Sequence, residues 1–440
     1  MREADAIPMN SSLHMFFDRI RRRWVTSRWL QRLVVLLSVV GPATITAMAD
    51  NDASGVATYS IAGAVLGYPI LFSLVIITLL LGITQEMGMR LTLITRRGLA
   101  DLIREKFGIK VSIFIFLGLL IANLGTIIVD LAAMNTTSSL LGIPAVPFLV
   151  GVLVVTFVFV TWGNYRLTQN IMLIACLFYV TYIFSAVESH PNWGLAVSNL
   201  LYPHGVAWTG EYLRNYLVIG MGVLGTTITP WGQFFISSFA FDKKMEKDTL
   251  KYSQFETYFG AFWTDFFSFF MIVATTATLF VHGIPLLSGD EAALAIKPFA
   301  GELAADLFAV GILVAGFMGI VVVSLSTAYA FSEFFGLSGS LNTDFRQSKT
   351  FYTLFLVQLL VATLVLLVPG VSLFSLAVAS QALNAMILPF VFYYLIKLAS
   401  SRELMGANAN SAFQKNFTAV GSVLIAIASI FTIAVVFFGH

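Results

Sequence analysis

The amino-acid sequence predicts an all-α polytopic membrane protein of eleven transmembrane helices, arranged as a five-plus-five inverted repeat whose first and sixth helices are broken at mid-length. Three observations predict it. Hydrophobic residues make up 58% of the chain and charged residues 11%, at a mean hydropathy of +0.87, which no ordinary soluble domain approaches. Eleven apolar segments reach the roughly 20 residues that cross a bilayer as a helix. Two of them are interrupted by residues that a membrane helix normally avoids: Ala49-Asp50-Asn51-Asp52-Ala53-Ser54-Gly55 and Gly225-Thr226-Thr227-Ile228-Thr229-Pro230-Trp231-Gly232.

Residues 1–32 are basic and polar and read as a cytoplasmic segment, amphipathic or disordered; the apolar stretch Leu33–Tyr59 is too long and too interrupted for a cleavable signal peptide. The first span, 33–60, carries the first break, and the second, 66–89, carries the buried acid Glu86. The third, 111–134, has Asp130 as its one acid. The fourth and fifth cover 147–164 and 170–188, with the single cysteine, Cys176, read as a small buried hydrophobe. An outward loop at 189–211, with His190, Pro191, Pro203 and His204, leads to the sixth span, 212–240, and the second break. The seventh, 255–281, holds Asp265; a second outward loop, 282–302, contains Pro285 and Pro298. Both loops are expected to be ordered or to form short amphipathic pieces. The remaining spans are 303–335, 350–369, 374–396 and 413–438. Repeat one covers about 33–188 and repeat two about 212–396, with 413–438 as an extra helix of one transmembrane domain, 33–440. Five is odd, so the second copy must be inverted and the first and sixth helices must correspond.

Sidedness is set by the basic residues. Of the 25 lysines and arginines, 23 fall on the side of the N-terminus and only Arg214 and Lys297 lie opposite. The positive-inside rule then puts the N-terminus in the cytoplasm and the C-terminus outside, in a multi-pass protein of the cell membrane. The formal net charge of +2 says little; the sidedness of the basic residues, and their attraction to anionic lipid, says more. Nothing supports nucleic-acid binding, and no obligatory protein partner is implied beyond the lipid bilayer. His-Glu-x-x-His, nucleophile-elbow and phosphate-loop motifs are absent, which argues against an enzyme.

The breaks point to a small substrate at the midplane. A carboxylate there costs roughly 3 kcal/mol even on insertion scales, so it remains where it serves a pathway. Unwound backbone is tolerated at that depth only where it lines a cavity or binds something. Small and oxygen-bearing residues crowd both breaks, among them Asp50, Asn51, Asp52, Ser54, Thr226, Thr227 and Thr229, and such a set suits a hard cation. Asp52 reads as a ligand or as the cap of the following half-helix, and Asp50 or Asn51 could cap in its place. Asp265 and Glu86 read either as waypoints for the ion or as ion-pair partners of an arginine such as Arg90.

These residues resemble the natural resistance-associated macrophage protein (NRAMP) family, which has the leucine-transporter fold. The family's Asp-Pro-Gly-Asn lies at Asp52-Ala53-Ser54-Gly55; Gly67-Tyr68, Gln85, Arg90-Leu91 and Leu99-Ala100-Asp101-Leu102 match its second span and following loop. Its Met-Pro-His stands as Thr229-Pro230-Trp231, followed by Ser237-Ser238, and Ser380-Gln381 and Leu388-Pro389-Phe390 match its tenth span. The resemblance implies a divalent-metal transporter in which Asp52, Gly55 and Thr229 occupy the positions of the metal-holding Asp, Asn and Met, while Ala49 and Thr226 supply carbonyls. Gln381 is read as a ligand that closes over the ion or as packing glue between helices, and Trp231 as a wall of the cavity.

The departures carry the finer expectation. Thr229 removes a soft thioether and Gly55 an amide, leaving an oxygen-only site suited to Mg²⁺, which dehydrates reluctantly. The pattern resembles the prokaryotic NRAMP-related magnesium transporters, with Mg²⁺ and Mn²⁺ as transported substrates and no cofactor. The family's two sixth-span histidines read Trp231 and Ile236, and the five histidines, His14, His190, His204, His282 and His440, all lie in loops or at the ends. That implies uptake down the electrochemical gradient without protons. The alternatives are a proton-coupled Mn²⁺/Fe²⁺ symporter and a sodium-coupled amino-acid carrier of the same fold; the latter's first break would be glycine-rich, which Asp52 opposes.

Overall fold

The computed structural model describes residues 40–140, 142–284, 286, 297, 301–368 and 373–438, with the backbone alone at 139, 140, 373–379 and 433–438. The segment 1–32, residues 33–39 of the first expected span, Pro285 and Pro298, and His14 and His440 lie outside the described residues.

Every regular element among the described residues is helical. In chain order they are α1 (Pro42–Ala49), α2 (Ala53–Leu66), α3 (Ile70–Thr95), α4 (Leu99–Phe107), α5 (Ile109–Leu140), α6 (Ala145–Trp162), α7 (Tyr165–Cys176), α8 (Val180–Glu188), α9 (Trp193–Asn199), α10 (Gly210–Thr227) and α11 (Pro230–Asp242). They continue with α12 (Leu250–Thr275), α13 (Glu302–Phe335), α14 (Lys349–Leu366), α15 (Leu373–Ala399), α16 (Arg402–Met405) and α17 (Ala412–Phe438). Nine continuous helical stretches among the described residues are long and apolar enough to cross a bilayer. The two remaining expected spans are the broken ones, α1 with α2 and α10 with α11, whose described halves fall within the segments that the hydropathy placed. The third is longer than expected, and a 3₁₀ turn, Leu177–Tyr179, interrupts the fifth between α7 and α8. The loop at 189–211, expected to face outward, does contain a short helix, α9, capped by the Asn192 side chain on the Leu195 amide.

The half-helices sit at the centre. α1 packs on α11 and α2 on α10, so the N-terminal half of one broken helix faces the C-terminal half of the other, as two antiparallel copies require. Nearly every side chain of α2 and α11 is buried, whereas α6 and α17 present many exposed apolar residues where lipid would lie. Pro42 opens α1 at a position where its missing amide costs nothing. The free amides of Gly41 and Thr44 donate to Glu256 Oε1 of α12 at 2.8 and 2.9 Å, placing a carboxylate at the positive end of that half-helix.

One short helix lies off the spans. α4 buries Leu99, Ala100, Leu102 and Ile103 and turns its charged residues outward, and its first amides are caught from two directions. Leu99 N donates to Ser237 Oγ of α11 at 2.8 Å, and Ala100 N to Glu333 Oε2 of α13 at 3.2 Å. Ser238 Oγ closes the cluster on Glu333 Oε1 at 2.6 Å, so the Ser237-Ser238 and Leu99-Ala100 pairs singled out in the sequence meet in space.

Candidate metal site

Asp52 leaves the helical region at φ −60° and ψ 176°, and its own side chain caps α2. Oδ1 accepts the Gly55 amide and the Ser54 hydroxyl, both at 2.7 Å. Asp50 and Asn51, the other candidate caps, do other things. Asn51 turns to α12, donating to the Thr264 carbonyl at 2.7 Å and accepting from Ser268 Oγ at 2.8 Å. Asp50 points toward the sixth-helix break. Asp52 Oδ2 makes no hydrogen bond among the described residues, so one oxygen of the capping carboxylate remains available. The Ala49 carbonyl accepts the Asp52 amide at 3.1 Å and closes the turn between the halves.

The second break is built by Pro230. Lacking an amide hydrogen, it leaves the Thr226 carbonyl without the donor that a continuous helix would supply four residues on. Thr229 then caps α11: its Oγ1 accepts the Gly232 amide at 3.1 Å and donates to Asp50 Oδ1 at 3.0 Å. The breaks meet at Gly55, where a Cβ would stand 2.5 Å from the Asp50 carbonyl oxygen and 3.1 Å from Thr226 Oγ1, so only glycine fits without displacing backbone.

α15 reaches the same place. Gln381 Nε2 donates to Ser54 Oγ at 2.7 Å, and its Oε1 accepts from Asn384 Nδ2 at 3.0 Å, forming a relay Asn384–Gln381–Ser54–Asp52. Asp130 of α5 joins from another side: its Oδ1 accepts the Ser54 amide at 2.9 Å, while its Oδ2 is buried without a partner. A Cβ on Gly319 of α13 would lie 2.2 Å from that oxygen and 2.6 Å from Asp52 Cβ, so the bare backbone of α13 covers both acids. Asp130 is visible in the sequence as the one acid of an apolar span; its contact with the first break is not. Asn384 is absent from the set that the sequence suggests, although its place three residues after Gln381, on the same helix face, is a signal that could have found it.

The three acids Asp50, Asp52 and Asp130 are 1%, 2% and 0% exposed, and no lysine or arginine forms an ion pair with any of them among the described residues. Buried carboxylates without cationic partners favour a bound cation. Three acidic, histidine or cysteine side chains do not converge in a metal cage among the described residues. Any ion held here would therefore be shared between carboxylate, carbonyl and hydroxyl oxygens, with waters completing its shell.

Other expected residues fall elsewhere. Asp265 lies one helix away, its Oδ2 accepting from Thr78 Oγ1 at 2.6 Å and its Oδ1 buried and unpaired. Trp231 is wholly buried beside the break, and its carbonyl accepts from Ser326 Oγ of α13 at 2.8 Å. Glu86 is an ion-pair partner: Arg90 Nε donates to its Oε1 at 2.7 Å and Nη2 to Oε2 at 3.0 Å.

Two broken helices related by inversion, with oxygen donors at both breaks, define a membrane transporter of the leucine-transporter type. Among solved structures, a manganese transporter of Eremococcus coleocola matches with a TM-score of 0.70 at 18% identity, across 97% of this chain and 88% of that one. A Na⁺-coupled sialic acid symporter matches at 0.56 and 14% identity, across 90% and 89%. The chain belongs to the NRAMP family, whose profile, described as natural resistance-associated macrophage protein-like, matches residues 43–435. The divalent metal cation transporter MntH of Verminephrobacter eiseniae is 25% identical over 394 residues, 86% of this chain and 85% of that protein.

Proposed function

We propose that the chain is a secondary transporter that admits Mg²⁺, and also Mn²⁺, into the cytoplasm by alternating access, without a coupled proton. Transport of a divalent metal is supported by family membership and by the names of its relatives. The observation that carries the finer reading is the donor set. Asp52, Asp130, the Thr226 carbonyl and the Gln381–Ser54 relay present oxygen, and the residue in the thioether position, Thr229, spends its hydroxyl on Asp50 and Gly232. Hard oxygens suit Mg²⁺, and the loss of sulfur removes the preference for softer ions. Trp231 and Ile236, where the family has histidines, leave no imidazole to carry a proton. The inside-negative potential alone favours entry by roughly 4.6 kcal/mol for a dication at 100 mV.

A second reading, proton-coupled Mn²⁺/Fe²⁺ symport, draws on a specific observation. Asp130 stands beside Asp52 with a free oxygen, and Met134, one turn further along α5, packs its thioether near Ala53 and Gly316. Uptake into liposomes carrying a Mg²⁺ dye, a Mn²⁺-quenched dye and a pH dye in parallel separates the two. Mg²⁺ influx with a flat pH trace supports the first reading; exclusion of Mg²⁺ together with proton influx supports the second.

A further inference from the structure

On the face where the chain's basic residues concentrate, α15 and α17 part around a cavity of about 520 Å³. Lys397, Ser400 and Ser401, near the end of α15, and Lys415, in the first turn of α17, form its outer part. Further along the two helices the walls become mostly apolar, with Ile396, one turn before Ser400, on one side and Ala419 and Val423, one and two turns after Lys415, on the other beside Ser422. Neither ammonium has a carboxylate partner among the described residues; the nearby Glu403 is taken by Lys106 at 3.2 Å. Lys397 Nζ is steadied over the Phe107 ring, 5.2 Å from its centroid, and over that of Tyr393 at 5.5 Å.

Two unneutralised lysines and serine hydroxyls above an apolar cleft that opens to the bilayer match one amphiphile in charge and in polarity along its length. The geometry points to a binding site for an anionic phospholipid of the leaflet on that side, its phosphate between Lys397 and Lys415 and an acyl chain along Ile396 and Val423. A free phosphate ion would use only the outer half. The site lies where the extra helix is held to the transport bundle: Gln414, beside Lys415, donates to Glu86 Oε2 at 3.0 Å, and Asn410 Oδ1 accepts from Arg90 Nη2 at 2.8 Å. A lipid bound there fastens α17 against α15.

The test is native mass spectrometry of the full chain with equimolar phosphatidylglycerol and phosphatidylcholine, on wild type, K397Q/K415Q and V423W. Wild type should retain phosphatidylglycerol over phosphatidylcholine by about tenfold, two lysines each adding severalfold. The double variant should fall to parity with an unchanged unfolding temperature in phosphatidylcholine nanodiscs, and V423W, which keeps both lysines, should lose the lipid by filling its cleft. Equal retention of the two lipids by wild type, an undiminished preference in the double variant, or full displacement by millimolar inorganic phosphate would each overturn the assignment.

Discussion

Thr229 donates its hydroxyl to Asp50 across the gap between the two broken helices, at 3.0 Å, while the same oxygen accepts the Gly232 amide at 3.1 Å. Thr229 is thus a pin between α1 and α11. It cross-links the two half-helices, and its hydroxyl both donates and accepts within the protein. Asp50 thereby differs from Asp52: it joins the breaks, while Asp52 caps α2 and keeps its second oxygen free, beside Asp130.

Asp52→Asn and Asp52→Ala should separate capping from charge. Asparagine caps as well as aspartate, so Asp52→Asn keeps α2 intact, whereas alanine removes a cap worth about 1 kcal/mol. Both should bring divalent-cation uptake to background in liposomes, because both remove the carboxylate oxygen that is free of the cap. Only Asp52→Ala should lower the unfolding temperature. Wild-type-like uptake by the asparagine variant would remove Asp52 from the site.

Arg90→Met should destabilise the protein by about 3 kcal/mol, since it leaves Glu86 charged and buried. Gln254 and Gln414 also donate to Glu86, at 2.7 and 3.0 Å, so part of the carboxylate stays satisfied and the loss should stop short of unfolding. Adding Glu86→Gln should recover most of it. Denaturation midpoints of the two single variants and the double variant close the cycle; additive losses would show that the pair is not coupled.

The breaks are legible in the sequence because carboxylates clustered with glycine or proline and several hydroxyl residues at mid-span are costly in lipid unless they line a site, and the Glu86–Arg90 pair because residues four apart share a helix face. The division of labour within Asp50-Asn51-Asp52 is not. Asp and Asn cap equally well, and which of the three residues does so depends on the backbone path, which the local sequence leaves open. Asp265 reads from the sequence either as a waypoint for the ion or as an ion-pair partner; its hydrogen bond from Thr78 is fixed by packing, which the sequence does not show. The Gln381–Ser54 contact joins residues 327 positions apart, so no local pattern could carry it.

Mg²⁺ entry should be electrically driven and silent to protons. With Trp231 and Ile236 in place of histidines, no imidazole is available to release a proton on entry. A pH dye inside liposomes at clamped potential should stay flat while Mg²⁺ enters, and the rate should rise with inside-negative voltage. Acidification that scales with Mg²⁺ influx and disappears in Asp130→Asn would instead make Asp130 a proton carrier.

Selectivity should respond to Thr229 more than to Gly55. Restoring an asparagine at Gly55 would drive its Cβ to 2.5 Å from the Asp50 carbonyl, so that variant must displace the backbone of the first break before it can offer a ligand. Thr229→Met meets no such barrier of backbone geometry, since the residue already occupies ordinary extended torsions at φ −94° and ψ 143°. It supplies a soft sulfur at the second break and, by deleting the hydroxyl, releases Asp50 from its pin. Calorimetric titrations should then show Mn²⁺ gaining on Mg²⁺ by about tenfold, or roughly 1.4 kcal/mol. Transport by the same variant should fall, because the two breaks no longer share a hydrogen bond and α11 loses its cap. An unchanged Mn²⁺-to-Mg²⁺ ratio in Thr229→Met would place selectivity in the carboxylates, and not in the softness of this one ligand.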